Sequence, residues 1–292
     1  MDRIIFGDNQ FFGINHMSED KAQEQAEKFR ELPAIIRVID DAYACGIRGF
    51  MFNTHERVGE LCKYFRANRA KYSDMRLYPS LPYAHKYASA VAEKGIFGAL
   101  HEFVFSDSSI GQILQLALKG GRSIISQDMI EIMKIFIDME LKMFHGLEVK
   151  AVFLQNIVTD LLLGARARDV FIEFSKYVRV KHGLAPAFNT LNMPALVDYL
   201  QDCGIDNPIV CSSINKIGYL MSPNLEAYEE ALKTKQFQPL AMSILASGAI
   251  PPREAIEYVT SLGNVRSIVF GASSRSNIEN TCRIIREYWP DA

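Results

Sequence analysis

Gly49–Gly59 reads GFMFNTHERVG: an apolar run passes directly into Asn53, Thr54, His55, Glu56 and Arg57, with no glycine or proline between them to make an ordinary surface turn. A buried strand that ends in a polar cluster presents that cluster at one edge of a sheet. The question is whether the rest of the chain repeats the arrangement.

It does. Short runs rich in Val, Ile, Leu and Phe end in polar residues, and each is followed by a stretch of helical period. The runs are Arg3–Phe6, Arg48–Phe52, Met75–Pro79, Val149–Leu154, Leu184–Phe188, Pro208–Ser212, Pro239–Ser243 and Ser267–Phe270. Between them, Ile35, Ile36, Ile39 and Tyr43 mark one helix face that stops at Gly46, and Ala195, Leu196, Tyr199 and Leu200 mark another before Gly204. Pro251 and Pro252 open a helix carrying Ile256, Val259 and Leu262. A further helix is expected from Ser18, as N-cap, to Glu31. Eight uniformly apolar strands alternating with helices in 292 residues predict an α/β fold, a (β/α)8 TIM barrel spanning 1–292 as a single domain. The third repeat is overlong: extra helices are expected between strands 3 and 4, around Ile110–Leu118 and from Met129 to Phe144. The apolar face of the second would suit either a homo-oligomer contact or a cover for the barrel.

Composition narrows the function. A net charge of −2 gives no electrostatic case for nucleic acid or an anionic membrane. The N-terminus lacks the pattern of a signal peptide and no apolar run is long enough to cross a bilayer, so a cytoplasmic location is expected. The five cysteines are odd in number and widely spaced, without a CxxC, which favours reduced core thiols over disulfides or zinc.

In a barrel, residues just after the strands face the ligand. Asp8, Asn53, Asn156, Asn189, Ser213, Ser243 and Gly271 are therefore expected to converge on one end. Such a mouth, rich in Asn and Ser, suits hydrogen bonding to a polar small molecule better than a hard metal, and no metal is expected. His55 with Glu56 could ligate one alongside Asp8 or His85, but adjacent residues at a strand end rarely both reach one ion, and a hydrogen-bonded histidine is the simpler reading. The segment from Gly271 to Arg275 has the form of a phosphate cup: small residues let backbone N–H groups and a helix N-terminus meet an anion, with the Arg275 guanidinium beside them. A phosphate-bearing ligand is expected there.

Four segments carry a family resemblance. GIRGFMFNT (Gly46–Thr54), AVFLQN (Ala151–Asn156), PLAMSILASG (Pro239–Gly248) and IVFGASSRSNIEN (Ile268–Asn280) resemble, in order, the aldo-keto reductase segments GxxxxDTA, DLxxLH, AYSPLxxG and VIPGxSxxxxxEN. The resemblance implies a barrel oxidoreductase using NADP(H), in which a Tyr hydroxyl protonates a carbonyl while Lys and Asp lower its pKa. The catalytic positions depart from that pattern. Asn53 stands for the Asp and Asn156 for the His, the loop that supplies the Tyr is shortened, and LYPSLP offers no Lys. Tyr83 and Lys86, a few residues late, are the nearest substitutes, and His55 is the residue of the NTHER loop suited to proton transfer near neutrality. The cofactor end matches better. The resemblance places Asn189 and Thr190 at the nicotinamide carboxamide and Ser243 and Leu245 at the pyrophosphate. It places Gly271, Ser273, Glu279 and Asn280 at the adenosine phosphate, with Arg275 for a 2′-phosphate; Met242 replaces the ring-stacking Tyr. Two alternatives remain: a barrel lyase or isomerase acting on a phosphorylated small molecule through His55, Glu56 or Lys216, and a barrel that only binds its ligand.

Overall fold

The structure, a computed structural model, describes residues 1–13, 19–82 and 122–292. All eight predicted strands form and close, in sequence order and all parallel, into one barrel. They are β1 (Ile4–Phe6), β2 (Gly49–Asn53), β3 (Arg76–Leu81), β4 (Ala151–Leu154), β5 (Ala185–Thr190), β6 (Ile209–Ser213), β7 (Gln238–Met242) and β8 (Ser267–Phe270). Closure is made by β1 against β8, with Ile5 opposite Val269 and Phe6 opposite Phe270.

Seven strands are offset from their predicted runs by one or two residues at an end, β5 for instance running on to Thr190, and two of these offsets have a clear local cause. β3 runs past Pro79 to Leu81; Pro79 lacks an N–H and usually ends a strand, but here it sits opposite Phe52 within the ladder. β4 begins at Ala151 rather than Val149, which makes only an isolated bridge to Leu77.

The described helices pack around the barrel as α1 (Glu19–Lys28), α2 (Leu32–Ala44), α3 (Glu56–Ala67), α4 (Arg122–Leu141), α5 (Asn156–Gly164), α6 (Arg168–His182), α7 (Met193–Asp202), α8 (Leu225–Thr234), α9 (Pro252–Ser261) and α10 (Arg275–Tyr288). α1 ends at Lys28, short of Glu31, because Pro33 opens α2 within its first turn. Gly46 follows α2 at φ +87°, a conformation only glycine adopts without strain. Ser18 and the Ile110–Leu118 helix lie outside the described residues. α4 covers most of the second expected insertion, and Ile132, Phe136, Ile137 and Glu140 on it are buried within the chain.

Two cores result. The larger lies between strands and helices, where Phe6, Phe50, Phe52 and Phe188 face outward from the barrel and Phe171 of α6 packs onto Phe188. The smaller fills the barrel: Ile5, Met51, Tyr78, Phe153, Ala187, Cys211, Leu240 and Val269. The five cysteines are unpaired, four of them buried and Cys45 half-buried. Among the described residues no helix is long and apolar enough to cross a membrane.

Candidate active site at the barrel mouth

The alternation of a strand carries the barrel interior to the mouth. Two residues beyond the apolar layer, Met51 is succeeded by Asn53, Tyr78 by Ser80, Phe153 by Gln155, Ala187 by Asn189 and Cys211 by Ser213. Five neighbouring strands thus change from apolar to polar at the same height. Above this layer opens a cavity of about 570 Å3, within the range of small-molecule sites. Asp8, Asn53, Asn156, Asn189, Ser213, Ser243 and Gly271 all line it, together with Leu245 and Met242.

Asp8 is the only titratable side chain among the described lining residues. It is 3% exposed. The backbone N–H of Asn53 donates to Asp8 Oδ2 at 2.7 Å and Asn53 Nδ2 donates to Oδ1 at 3.0 Å. Gln155 Nε2 in turn donates to Asn53 Oδ1 at 3.4 Å. Burial dominates over these bonds and pushes the Asp8 carboxyl up to about 7. On the other side, Asn189 Nδ2 donates to Ser80 Oγ at 2.9 Å. Asn189 Oδ1 and Ser213 Oγ, both buried, have no partner among the described residues. A buried polar atom left in this way costs about 1–3 kcal/mol unless something else meets it.

The rim is strained on one side. Leu220, Ser243 and Ser247 line the cavity with φ near +55°, and Ala246 beside them has φ +45°. Non-glycine residues held in this region cost of order 1–3 kcal/mol each and cluster at ligand sites. Across the mouth, a Cβ on Gly271 would fall 2.1 Å from Gln10 Oε1, so the glycine is what lets the β8 loop pass over Gln10. Gln10 Nε2 is anchored to Gly7 O at 2.8 Å.

The remaining NTHER residues turn away from the cavity. Thr54 Oγ1 donates to the buried Glu140 carboxylate on α4. His55 caps α3, its Nδ1 accepting from the Arg57 N–H at 3.2 Å, and its ring stacks on Phe12 at 4.3 Å. Arg57 ties the loop to Phe29 O at 2.6 Å and Arg30 O at 2.9 Å. Most of the cluster thus builds the β2–α3 corner, and Asn53 alone of the five enters the cavity lining.

The other predicted residues divide. Thr190 faces outward, where its hydroxyl binds Asp160 of α5 and accepts from the Asn192 N–H at 2.9 Å. Arg275 is exposed on α10, paired with Glu279 at 2.7 Å and 3.8 Å from Asp41, and it lines a surface groove between α2 and α10 rather than the mouth. Asn280 Oδ1 accepts from Arg283 at 2.9 Å. Ser273 O accepts from Lys28 Nζ at 2.8 Å, which adds a cation to the β8 loop, and Ser274 caps α10. Lys216 is exposed and paired with Glu254 at 2.8 Å. Tyr83, His85 and Lys86 lie outside the described residues. Among the described residues no group of three or more His, Cys, Asp or Glu side chains could hold a metal ion.

Sequence reading left Ser80 out because it ended β3 at Pro79; alternation from Tyr78 is the signal that finds it. It placed Asp8 at the mouth without a role in proton transfer, and it gave Gln155 no role beyond its place in the AVFLQN segment. Their importance comes from contact with Asn53 across the barrel, which no local pattern records.

Fold and mouth together define a closed (β/α)8 barrel with a polar cavity at the carboxyl ends of its strands. The chain is similar in structure to a Pseudomonas aeruginosa protein assigned to the aldo-keto reductases, with TM-score 0.60 and 12% identity over 99% of this chain and 91% of that one. It is also similar to an aldo-keto reductase of the silkworm, Bombyx mori (TM-score 0.53, 9% identity, 99% and 83% of the two chains). A third is an aldo-keto reductase enzyme from a Medee basin deep-sea metagenome library (TM-score 0.51, 13% identity, 99% and 91%). At these identities the likeness is one of fold. No family model and no curated protein matches the chain.

Proposed function

We propose that the protein is an aldo-keto reductase-like oxidoreductase that binds NADP(H) with the nicotinamide end in the mouth cavity, and that it works without the family's Tyr, Lys and His. The observation that carries this reading is the pair of orphaned atoms inside the cavity. Asn189 Oδ1 can only accept a hydrogen bond and the Ser213 hydroxyl can donate one, and they stand on adjacent strands. A carboxamide offers the matching N–H and C=O. The nicotinamide group therefore fits these residues, and when bound it supplies or accepts a hydride. Met242 provides an apolar, polarisable surface in the same cavity.

Ser243 and Leu245 line the way from the cavity toward the β8 loop. There the N-terminus of α10 and Lys28 favour a phosphate. Arg275 could join a 2′-phosphate only by giving up its bond to Glu279. The lining has no cationic side chain among the described residues, so the part of the substrate that enters the cavity is uncharged and polar.

Ser213→Ala tests the reading. Removing an unpartnered hydroxyl leaves the fold as stable as before or slightly more so, while NADPH affinity, read by calorimetry, falls about tenfold, or ~1.4 kcal/mol. Unchanged affinity in the variant, or no binding of NADPH by the wild type, contradicts it.

A further inference from the structure

We infer that Asp8 is the catalytic residue that exchanges a proton with the substrate oxygen in this cavity, with Asn53 as its positioning residue. This rests on the cofactor reading above and deepens it. The aldo-keto reductase pattern has no proton donor at this place: Asp8 follows β1, whereas the family's carboxylate follows β2, where this chain has Asn53.

The geometry supports the exchange. Asn53 holds both carboxyl oxygens through its backbone N–H and its side chain, at 2.7 and 3.0 Å, and so fixes the plane of the group. These bonds occupy two of roughly four acceptor directions on a carboxylate. The cavity is open beside it. Every other described side chain lining that cavity is uncharged, so among the described lining residues Asp8 is the one placed to give or take a proton at a substrate oxygen.

The surroundings from each packed element are neutral or committed elsewhere. Asn53 holds Asp8 from β2, Gln155 of β4 bonds Asn53 in turn, and Gln10 and Gly271 share the cavity lining with Asp8. Glu140 is engaged by Thr54 beyond β2. Cys211, in the barrel floor, is pushed up to about 12 by burial and stays a thiol. Tyr78 is bound to Asp2 at the opposite end of the barrel and is also raised by burial. Among the described residues no other titratable group shares the cavity with Asp8, whose carboxyl burial pushes up to about 7.

In the reducing direction the carbonyl π bond breaks and its electron pair takes the Asp8 proton as the new O–H bond. A reduced dinucleotide, when bound, would supply a hydride and with it the electron pair of the new C–H bond, and Asp8 would be left as the carboxylate. Oxidation of the alcohol reverses each change, with Asp8 receiving the proton.

The test is the proton balance of dinucleotide binding, measured by calorimetry in buffers of different ionisation heat. NADP+ and NADPH share the 2′-phosphate, so the difference between them reads the charge of the ring. A cationic ring in the cavity favours the Asp8 carboxylate. NADP+ should release about half a proton more than NADPH near pH 7, and no more than NADPH at pH 9. In Asp8→Asn the difference should vanish at every pH. No difference in the wild type across pH 5–9 while both forms bind, or an equal difference in Asp8→Asn, overturns the role of Asp8 and leaves the cofactor reading standing. Failure of both dinucleotides to bind the wild type overturns the two together. The wild-type pH profile decides the matter even if the variant does not fold.

Discussion

Asp8→Asn is expected to gain stability over the wild type as pH rises, with the gap between the two proteins widening by about 2–3 kcal/mol from pH 5 to pH 8. The sign follows from burial. In the unfolded chain Asp8 titrates near 3.8, and in the fold near 7. Between these values the folded protein holds a proton that the unfolded chain has released. The stability this group contributes is fully present below pH 3.8, declines as pH rises through 7, and is absent above it. At pH 8 the wild type buries a carboxylate with no cation beside it among the described lining residues; an asparagine of nearly the same shape carries no such charge. Urea midpoints of both proteins at the two pH values measure the effect. A gap that stays constant with pH would mean that Asp8 ionises in the fold as it does in water.

Phe153→Ala should cost about 3–5 kcal/mol, also read from urea unfolding. The ring is fully buried inside the barrel, edge-on to Tyr78 at 6.5 Å between centroids. Its neighbours in that layer are Met51, Ala187, Cys211 and Leu240, and the strands that carry them are fixed by the closed ladder. The layer therefore cannot collapse to fill the space, and the cavity penalty adds to the lost transfer energy. Because Phe153 lies two residues below Gln155, the loss also removes the floor under the Asn53–Gln155 bond. A cost below about 1 kcal/mol would contradict a rigid, filled barrel interior.

The strands were legible because each is buried on both faces, so its sequence is apolar throughout and its end is marked by the first polar residue. β8 matches its run from Ser267 to Phe270 without adjustment. β3 was read short because Pro79 obeys a local rule that the ladder overrides, and Ser80 was lost with it. At the mouth, sequence could place Asn53 and Ser213 at strand ends, but it could not say which way a residue one step later would turn. Thr54 and Thr190 both follow an inward residue and both turn outward, to Glu140 and Asp160 on helices distant in sequence. His55 is a similar case: its imidazole suits proton transfer, yet it follows the last strand residues and becomes the cap of α3. The buried, raised carboxyl of Asp8 arises from contacts across 45 positions of sequence, and no spacing motif encodes it.

The central claim, that the barrel mouth takes the nicotinamide end of NADP(H), is most directly tested by NMR of methionine methyl groups carrying 13C. Met51 and Met242 line the cavity, whereas Met75 precedes β3 at the far end of the barrel and Met193 is buried at the start of α7, outside the lining. Titration with NADPH should shift the Met51 and Met242 methyl signals and leave those of Met75 and Met193 in place. Unmoved Met51 and Met242 signals at saturating NADPH would contradict the account, as would shifts confined to methionines outside the cavity.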